Sequence, residues 1–497
     1  MSSNSDSIVQ QLEHDFKELI EYVTGEDAQS RTAYEVELNL FRRLLALGAQ
    51  LLRLFFVHRS SVRPKEPVYA SDGAPLSYQG QSRTSYYSVF GKVQFERHYF
   101  YAPGHGGLCP LDAELSLPPR CYSDLLRDWA EYCVTDESYD EAIKVLKRIL
   151  GLSISKLALE TGAQEDAEAV VAFYEQKAAP PVKTEGPILV VQADGKGVPM
   201  VRTESVAKLA RLSKGQKRTQ KKEAVTTGIY TIEPYRRTPQ EVVEALLRTG
   251  EGKDSAEQAS LTPSQRPAPA NKEVWATLEG KDIAFDRLAR RVAQRDHAGV
   301  QQRVALTDGD EALQNQVSDK LPGFELILDI IHASEYLWDT ANALLGERNP
   351  DRTAWIGEQL LQILSGQTIE VIQTLEGMVQ EDDLSSTQQE ILSTTIGYYC
   401  RNLPYMRYDY YLAQGWPIGT GVIEGACRHL VKDRTERSGM RWTQAGAQAV
   451  LDLRAVRING DWDDYQRFHR EQQHQRLYGV HSPIVPSAEE IVLEQAA

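Results

Sequence analysis

The chain has few cysteines, and nothing in their spacing links them. It contains five in 497 residues, an odd number, and none are spaced C-x-x-C. This usage suits reduced thiols in a cytosol and excludes a disulfide framework. Four residues could in principle bind zinc, but their spacing matches no usual zinc site: His98, His105, Cys109 and Cys121.

Long hydrophobic runs are also missing. No apolar run approaches the roughly 18 residues needed to span a bilayer. The most apolar segment, LFRRLLALGAQLLRLFFVHRS, is interrupted by Arg42, Arg43 and Arg53, and it predicts a helix with one buried face. The first residues, MSSNSDSIVQQ, lack the basic and apolar regions of a signal peptide. We therefore expect a cytoplasmic protein with no membrane partner.

Positive charge is scarce overall. The formal net charge is −15, which argues mildly against a nucleic-acid partner because phosphate binding needs positive potential. Net charge is a global sum, however, whereas binding is local. The distribution of lysine and arginine therefore matters more than their number.

The N-terminal part predicts an α+β region in two segments. Residues 1–62 have an amphipathic helical pattern, and residues 63–178 contain a β-hairpin that turns at Gly91, followed by helices. Two of these helices flank the break GLSIS, where Ser153 or Ser155 would be the N-cap. Two interpretations are open: a helix-turn-helix that reads DNA ends, or a plain helical hairpin.

After the linker AAPPVKTEG, strands alternate with helices, which predicts a layered α/β domain. The strand patterns are PILVVQADG, AVTTGIYTIEP, RVALTDGDEAL and FELILD. A polar stretch at residues 249–273 predicts a loop or insertion. Residues 349–400 predict helix throughout, and GWPIGTGVIEGACRHLVKDRTERSGMRW opens a last long helix.

Three carboxylates stand where such a domain could gather them. Asp194 and Asp308 each end a strand pattern, so neighbouring strands could bring both to one edge of the sheet. Glu424 lies in the first turn of a helix behind Gly419 and Gly421. Carboxylate oxygens are the ligands that Mg²⁺ prefers, and paired ions of this kind serve phosphoryl transfer. The alternative is that Asp194-Gly195 is only a turn.

Four motifs, in this order, resemble bacterial insertion-sequence transposases of the Kra type: DGKGV, ALTDGDEALQ, ILDIIHASEYLW and GVIEGACRHLVKDRTERSGMRWT. These enzymes belong to the Asp-Asp-Glu group, have an RNase H-like catalytic fold, and are distant relatives of Mutator-like elements. The similarity covers about residues 84–470. A zinc-binding C-x-x-C that some relatives show near the N-terminus is absent from this sequence.

The resemblance implies a fold and a set of metal ligands. It implies an α/β RNase H-like catalytic domain (residues 186–338 and 401–470) with a helical insertion (339–400) and a C-terminal tail (471–497). Asp194, Asp308 and Glu424 match the metal-binding triad of the family. The cofactor implied is Mg²⁺ or Mn²⁺, as two ions.

Asp329 and His332 form an Asp-x-x-His at the end of a strand pattern, similar to a motif of the wider superfamily. One interpretation places His332 beside the site, where it orients Asp308 or touches the scissile phosphate. The other is a histidine at a helix start that bonds only to the backbone.

Basic residues flank this carboxylate cluster on both sides in the sequence. They are better explained by a DNA backbone held over a metal site than by a solvated loop. The predicted DNA-binding residues are Lys196, Lys214, Lys217, Arg218, Lys221 and Lys222, together with Arg428, Lys432, Arg434, Arg437 and Arg441.

The sequence thus predicts a cytoplasmic, nucleoid-associated transposase that cleaves at element ends and joins them to target DNA. Its partners would be double-stranded DNA (terminal repeats and target), and it would act as a homodimer or higher oligomer. Two alternatives remain: an RNase H-like nuclease without strand transfer, and a catalytically silent DNA-binding protein.

Overall fold

A computed structural model describes residues 2–201, 221–247, 266–380 and 384–479. The chain divides into two compact units, residues 1–173 with 461–497, and residues 174–460. The sequence predicted a catalytic region that ends at residue 470. The unit boundary lies at Gly460 instead, and the last helix belongs with the N-terminal residues.

The first part of the chain forms eight helices and four strands among the described residues. They are α1 (Ser2–Thr24), α2 (Glu26–Gln29), α3 (Ala33–Ser60), β1 (Val68–Tyr69), β2 (Pro75–Ser88), β3 (Gly91–Ala102), β4 (Gly106–Leu108), α4 (Pro110–Glu114), α5 (Asp124–Asp136), α6 (Tyr139–Leu150), α7 (Lys156–Ala167) and α8 (Val170–Gln176).

The remaining elements begin after a 3₁₀ turn at Val182–Thr184. They are β5 (Ile188–Pro199), β6 (Lys221–Ile232), α9 (Pro239–Leu247), β7 (Ala270–Thr277), α10 (Lys281–Arg295), β8 (Gln302–Thr307), α11 (Glu311–Lys320), β9 (Glu325–Leu328), α12 (Ile330–Leu345), α13 (Asp351–Leu364), α14 (Thr368–Val379), α15 (Ser386–Asn402), α16 (Tyr408–Gln414), α17 (Gly421–Ala426), α18 (Asp433–Thr435), α19 (Gln444–Ile458) and α20 (Trp462–Tyr478).

In the N-terminal unit, the predicted hairpin at Gly91 is confirmed. Strands β2 and β3 pair from Ser77↔Tyr101 to Ser88↔Gly91, in a sheet of order β1-β2-β3-β4. Gly91 has φ +118°, a conformation that glycine adopts without strain. Helix α3 packs on this sheet through Phe56, whose ring stacks on Phe95 at 4.2 Å.

The two helices around GLSIS are present as α6 and α7. Helix α6 ends at Gly151, which has φ +70°, and Ser155 caps α7 by accepting from the Ala158 N–H at 3.1 Å. Of the two predicted candidates, Ser153 and Ser155, the N-cap is therefore Ser155. Both interpretations of this pair, DNA reader and plain hairpin, contain these two helices.

Helix α20 completes the N-terminal unit through a buried charged cluster. Asp166 of α7 accepts from Arg127 Nε of α5 at 3.0 Å, and its Oδ1 lies 3.0 Å from Nε2 of His469 in α20. The Tyr465 hydroxyl donates to the Asp166 carbonyl. All four residues are buried, so α20 supplies part of the interior of this unit.

The second unit is built on a five-stranded mixed sheet of order β7-β6-β5-β8-β9. Strands β5, β6 and β7 are antiparallel, whereas β8 and β9 run parallel to β5. One face packs against α12 to α16 through a core that includes Val190, Leu337 and Leu360. The other packs against α10 and α11 through residues such as Val191 and Phe285. The predicted layered α/β architecture is confirmed.

Strand β5 does not end at Asp194 as predicted. Its parallel pairing with β8 stops at Gln192↔Leu306, but its antiparallel pairing with β6 continues to Pro199↔Lys221. The two glycines of DGKGV do not form a turn. The Lys221 side chain packs against Gly197. A Cβ at position 197 would lie only 2.9 Å from Lys221 Cδ, so glycine leaves the room that this side chain needs.

Strand β7 was missed, because its first residues lie in the stretch predicted as a loop, 249–273. Asn271, Lys272 and Glu273 make the segment look solvated. Glu273 is in fact buried, and both of its oxygens accept from Arg291 at 2.7 Å. A tertiary ion pair therefore permits a strand where the local sequence indicates a loop.

The predicted last long helix is broken into pieces. Helix α17 passes into a π-helical segment, Cys427–Lys432, before the short α18 and a 3₁₀ turn at Arg437–Gly439. Such π-helical insertions are rare and often occur at functional sites. No helix among the described residues is long and apolar enough to cross a membrane.

Candidate metal and nucleic-acid site

Asp194 and Asp308 lie at equivalent positions along two neighbouring parallel strands, Asp194 within β5 and Asp308 directly after the end of β8. Each lies two residues beyond the last pair of the β5–β8 ladder, Gln192↔Leu306. Both side chains are half-buried. Burial raises the pKa of Asp308, and the negative charge of Asp194 raises it further. The Asp310 N–H has the opposite effect, because it donates a hydrogen bond to Asp308 Oδ1 at 3.0 Å. The two carboxylates therefore repel each other in a partly desolvated place.

The loop after β8 is held rigidly around Asp308. Gly309 has φ +89°, and a Cβ there would meet the Tyr398 hydroxyl at 2.6 Å. That hydroxyl donates to the Asp308 carbonyl at 2.7 Å, and Arg401 donates to the Gly309 carbonyl at 3.1 Å. Both donors come from α15, so the helix predicted as part of an insertion positions the end of β8.

Asp329 is fully buried and caps α12. Its two oxygens accept from the N–H groups of Ile331 (3.2 Å) and His332 (3.4 Å), and Oδ2 lies 2.6 Å from His332 Nδ1. This hydrogen bond raises the pKa of His332 to about 9, against the effect of burial, and the nearby charges of Glu335 and Asp308 add to it. His332 therefore carries a positive charge at neutral pH.

Glu424 is tied to this pair through Thr420. The Thr420 N–H and hydroxyl lie 3.2 and 2.8 Å from the Asp329 oxygens, and the same hydroxyl oxygen lies 3.3 Å from Glu424 Oε1. Ligand atoms of Asp329, His332 and Glu424 all lie within 4.8 Å of one another. The histidine is thus not bonded to backbone alone.

Gln192 connects the central strand to the helix that carries Glu424. This amide is 1% exposed. Its Nε2 donates to the Tyr230 hydroxyl at 3.1 Å and to the Gly419 carbonyl at 3.3 Å, while its Oε1 accepts from the Ile423 N–H at 3.0 Å. Sequence reasoning did not find Gln192, because a lone glutamine in an apolar strand indicates only an edge or a turn.

The structure brings the predicted site residues together in two overlapping groups. Asp194, Asp308 and His332 interact through their charges, and His332 also contacts the Asp329–Glu424 group. Among the described residues, the compact set of possible metal ligands contains Asp329 rather than Asp194 or Asp308. The oxygens of Asp329 already accept from three N–H groups, a hydroxyl and an imidazole. Asp329 is therefore better suited to positioning His332 and Thr420 than to holding a cation.

Lys281 is a further charged residue at this edge. Its Nζ lies 2.9 Å from Asp310 and 3.8 Å from Glu223. Burial lowers the pKa of Lys281, but these carboxylates and Asp308 outweigh it and raise the pKa. Lys281 begins α10, a helix for which the sequence analysis proposed no role, and a lysine at a helix start is not a recognisable signal.

The predicted DNA-binding residues divide into three sets. Lys214, Lys217 and Arg218 lie outside the described residues. Arg434 is fully buried, with its guanidinium 4.8 Å above the Trp442 ring. The remaining seven are exposed or half-buried: Lys196, Lys221, Lys222, Arg428, Lys432, Arg437 and Arg441.

Glu436 lies among these basic residues but is not part of the carboxylate cluster. It forms an ion pair with Lys221 of β6, across the strand-helix interface. In the sequence, Lys432 stands four residues before Glu436, a spacing that would pair the two in a regular α-helix.

Comparison with known proteins gives little further information. No protein-family model matches the chain, and no curated protein matches it. Among solved structures, the chain is similar to the Drosophila P element transposase strand transfer complex, with 9% sequence identity and a TM-score of 0.25, over 70% of this chain and 80% of that chain. A TM-score this low does not establish a shared fold.

Proposed function

We propose that this protein is a transposase of the Asp-Asp-Glu group, similar to the Kra type, that cleaves DNA at the ends of a mobile element and joins them to target DNA. One observation carries the proposal: two half-buried aspartates, one within β5 and one directly after the adjacent parallel strand β8, each two residues beyond the last pair of the β5–β8 ladder. Glu424 is held nearby through Thr420 and the Asp329–His332 pair.

The strand arrangement supports an RNase H-like catalytic domain. Three antiparallel strands followed by two parallel ones place β5 and β8 side by side in the middle of the sheet. The helices α13 to α15 correspond to the insertion that the resemblance implies. They share one core with the sheet, through Leu360, Leu375 and Leu392.

The donor set fits a hard divalent cation such as Mg²⁺ or Mn²⁺. Burial and the charge of Asp194 both raise the pKa of Asp308, so a cation between the two carboxylates would relieve this repulsion. Asp194, Asp308 and Glu424 would hold the ions. Divalent ions held in pairs activate an attacking oxygen and stabilise the leaving one.

The chain's own groups would position the DNA strand. His332 Nδ1 is engaged by Asp329, and its Nε2 has no hydrogen-bond partner among the described residues. A positively charged imidazole in this position can donate to a phosphate oxygen of the scissile group. The exposed lysines and arginines of β6 and of the segment after α17 would hold the flanking phosphates, a contact that is independent of base sequence.

Incubating the protein with candidate element ends, Mg²⁺ and a supercoiled plasmid tests this function. We expect cleaved ends and products in which element ends are joined to plasmid. Chelation should abolish both reactions while a gel shift persists. Ca²⁺ should support binding with little cleavage, because its looser coordination positions the reacting oxygens poorly.

The other candidate functions give different products. Cleavage without joined products would indicate a nuclease, and a gel shift without cleavage in any divalent ion would indicate a DNA-binding protein. Cleavage that persists after complete removal of divalent ions would contradict the metal assignment itself.

A further inference from the structure

Helix α3 carries a row of exposed apolar side chains along one side. Only Phe56 and Ser60 of its 28 residues are buried, although the sequence predicted a helix with one buried face. The exposed row recurs at intervals of seven, three or four residues, as in a coiled-coil seam. Its members are 40–70% exposed: Tyr34, Phe41, Leu44, Leu51, Phe55 and, just beyond the helix, Val62.

Helix α1 carries a second row of exposed apolar side chains. It packs on α3 and buries Ile8, Leu12 and Leu19. The exposed row of α1 has the same seven-residue interval and consists of Val9, Phe16, Ile20 and Val23. The N-terminal hairpin of helices therefore has a core side and, separately, an apolar side with no partner among the described residues.

The row on α3 is nearly symmetric about its centre. Phe41 and Phe55 lie seven residues on either side of Gly48, and Tyr34 and Val62 lie fourteen. Gly48 has no side chain, and the Phe90 ring packs directly against it: a Cβ at Gly48 would lie only 2.6 Å from that ring. Phe90 is itself 41% exposed, so the apolar surface is continuous.

One pair of charges beside the row follows the same symmetry with opposite sign. Glu37 and Arg59 lie eleven residues on either side of Gly48, and both are exposed, with Arg59 also 3.1 Å from Glu114. In an antiparallel pair of α3 helices, Glu37 would face the partner's Arg59, and Phe41 would face the partner's Phe55. A parallel pair would instead place like charges together.

We infer that this face of α3 is a two-fold, antiparallel interface with a second copy of the chain. Two-fold interfaces use the same patch on both subunits, which a symmetric row provides. A large aromatic side chain buries about 150–250 Å². The six side chains of the α3 row, together with Phe90, thus supply several hundred Å² per copy, close to the roughly 800 Å² that each partner buries in a standard interface. The inference does not depend on the proposed function.

Sedimentation equilibrium of the full chain tests this interface with charge substitutions at Phe41 and Phe55. We expect a dimer that Phe41→Lys or Phe55→Glu alone weakens at least about 100-fold, because each dimer contains the change twice at a central position. The double variant should recover most of the affinity, since each introduced lysine then faces an introduced glutamate. Both positions are exposed in the single chain, so the circular dichroism spectrum should not change.

A matched control is Ile369→Glu, a substitution at a similarly exposed residue of α14, which should leave the dimer intact. A monomeric full chain, or single variants that dimerise normally, would overturn the inference. Failure of the double variant to recover would overturn the antiparallel arrangement. A chain that dimerises only after removal of residues 480–497 would assign the row to that tail instead.

Discussion

The hydroxyl of Thr420 lies 2.8 Å from the buried carboxylate of Asp329 and 3.3 Å from Oε1 of Glu424. One hydroxyl proton cannot serve both acceptors equally. The proton is therefore shared unequally: the Asp329 contact is the shorter and stronger one, and the contact to Glu424 is the weaker one. Thr420 thus joins the Asp329–His332 pair to the third predicted metal ligand.

Replacing Thr420 with valine should lower the cleavage rate about 10- to 100-fold, the usual cost of removing a group that orients a metal ligand. The loss should shrink as the Mg²⁺ concentration is raised, because the defect lies in holding Glu424. Thr420→Ser keeps the hydroxyl and should behave nearly as the parent. Cleavage rates measured over a Mg²⁺ titration check this. If valine lowered only the plateau rate and the thermal midpoint, the role of Thr420 would be structural.

Glu424→Gln should eliminate cleavage, whereas Glu436→Gln should cost little. Glu436 pairs with the exposed Lys221, and an exposed ion pair contributes roughly 0–1 kcal/mol to stability. Asp194→Ala and Asp308→Ala should resemble Glu424→Gln and retain DNA binding in a gel shift. Near-normal Mg²⁺-dependent cleavage in any of these three variants would remove that residue from the triad.

Neutralising Lys196, Lys221 and Lys222 to glutamine should weaken binding to all DNA sequences about equally. The slope of log affinity against log salt should fall by roughly 0.9 for each DNA phosphate that the variant no longer neutralises. Arg348→Gln, at an exposed residue beside α12, is the control and should change neither quantity. An unchanged slope in the triple variant would mean that these lysines face solvent only.

Removing the whole N-terminal unit, residues 1–173 together with 461–497, should abolish recognition of element ends and leave nonspecific, metal-dependent nicking. Removing residues 1–178 alone should give an unstable protein, because Tyr465 and His469 of α20 would lose their buried partners. Binding assays with specific and scrambled ends, together with thermal unfolding, distinguish the two truncations. Selective end binding by residues 174–460 would place the reader in the second unit.

Asp166→Asn should destabilise the N-terminal unit by up to about 3–5 kcal/mol at pH 7, because the buried Arg127 would lose its closest carboxylate and keep only the longer contacts to Glu131 and Glu165. Burial raises the pKa of Asp166, but hydrogen bonds from Glu131 and His469 and the charge of Arg127 lower it to about 2. Because its pKa is lowered in the folded state, the ionised Asp166 stabilises the folded unit above about pH 4, where an aspartate is ordinarily ionised. This stabilisation is lost as the pH falls towards 2.

Urea unfolding measures the difference in the free energy of unfolding between the parent and Asp166→Asn. This difference should be large at pH 7 and small near pH 2. Glu165→Gln, the neighbouring and more exposed carboxylate, is the matched control with a small effect at both. Equal destabilisation by Asp166→Asn at both pH values would show that the ion pair is not its cause.

From the sequence alone, most of the strands and helices around the site could be predicted, although not β7, and Asp194, Asp308 and Glu424 could be named as candidate metal ligands. These features depend on local patterns: apolar runs that end in aspartate, such as those before Asp194 and Asp308, and a glycine-rich start before Glu424. Two aspartates that follow apolar strands lie at the same edge of a sheet when the two strands are parallel neighbours. Sequence could therefore anticipate the pairing of β5 with β8.

Only the tertiary structure decided which polar groups connect these residues and which faces stay exposed. Gln192, Thr420 and Lys281 act through partners distant in the sequence, so no local pattern marks them. The burial of Arg434 over Trp442 and the unpartnered face of α3 likewise depend on what packs against each helix. Charge and hydrophobicity are properties of a residue, but burial belongs to its surroundings, and the fold supplies those.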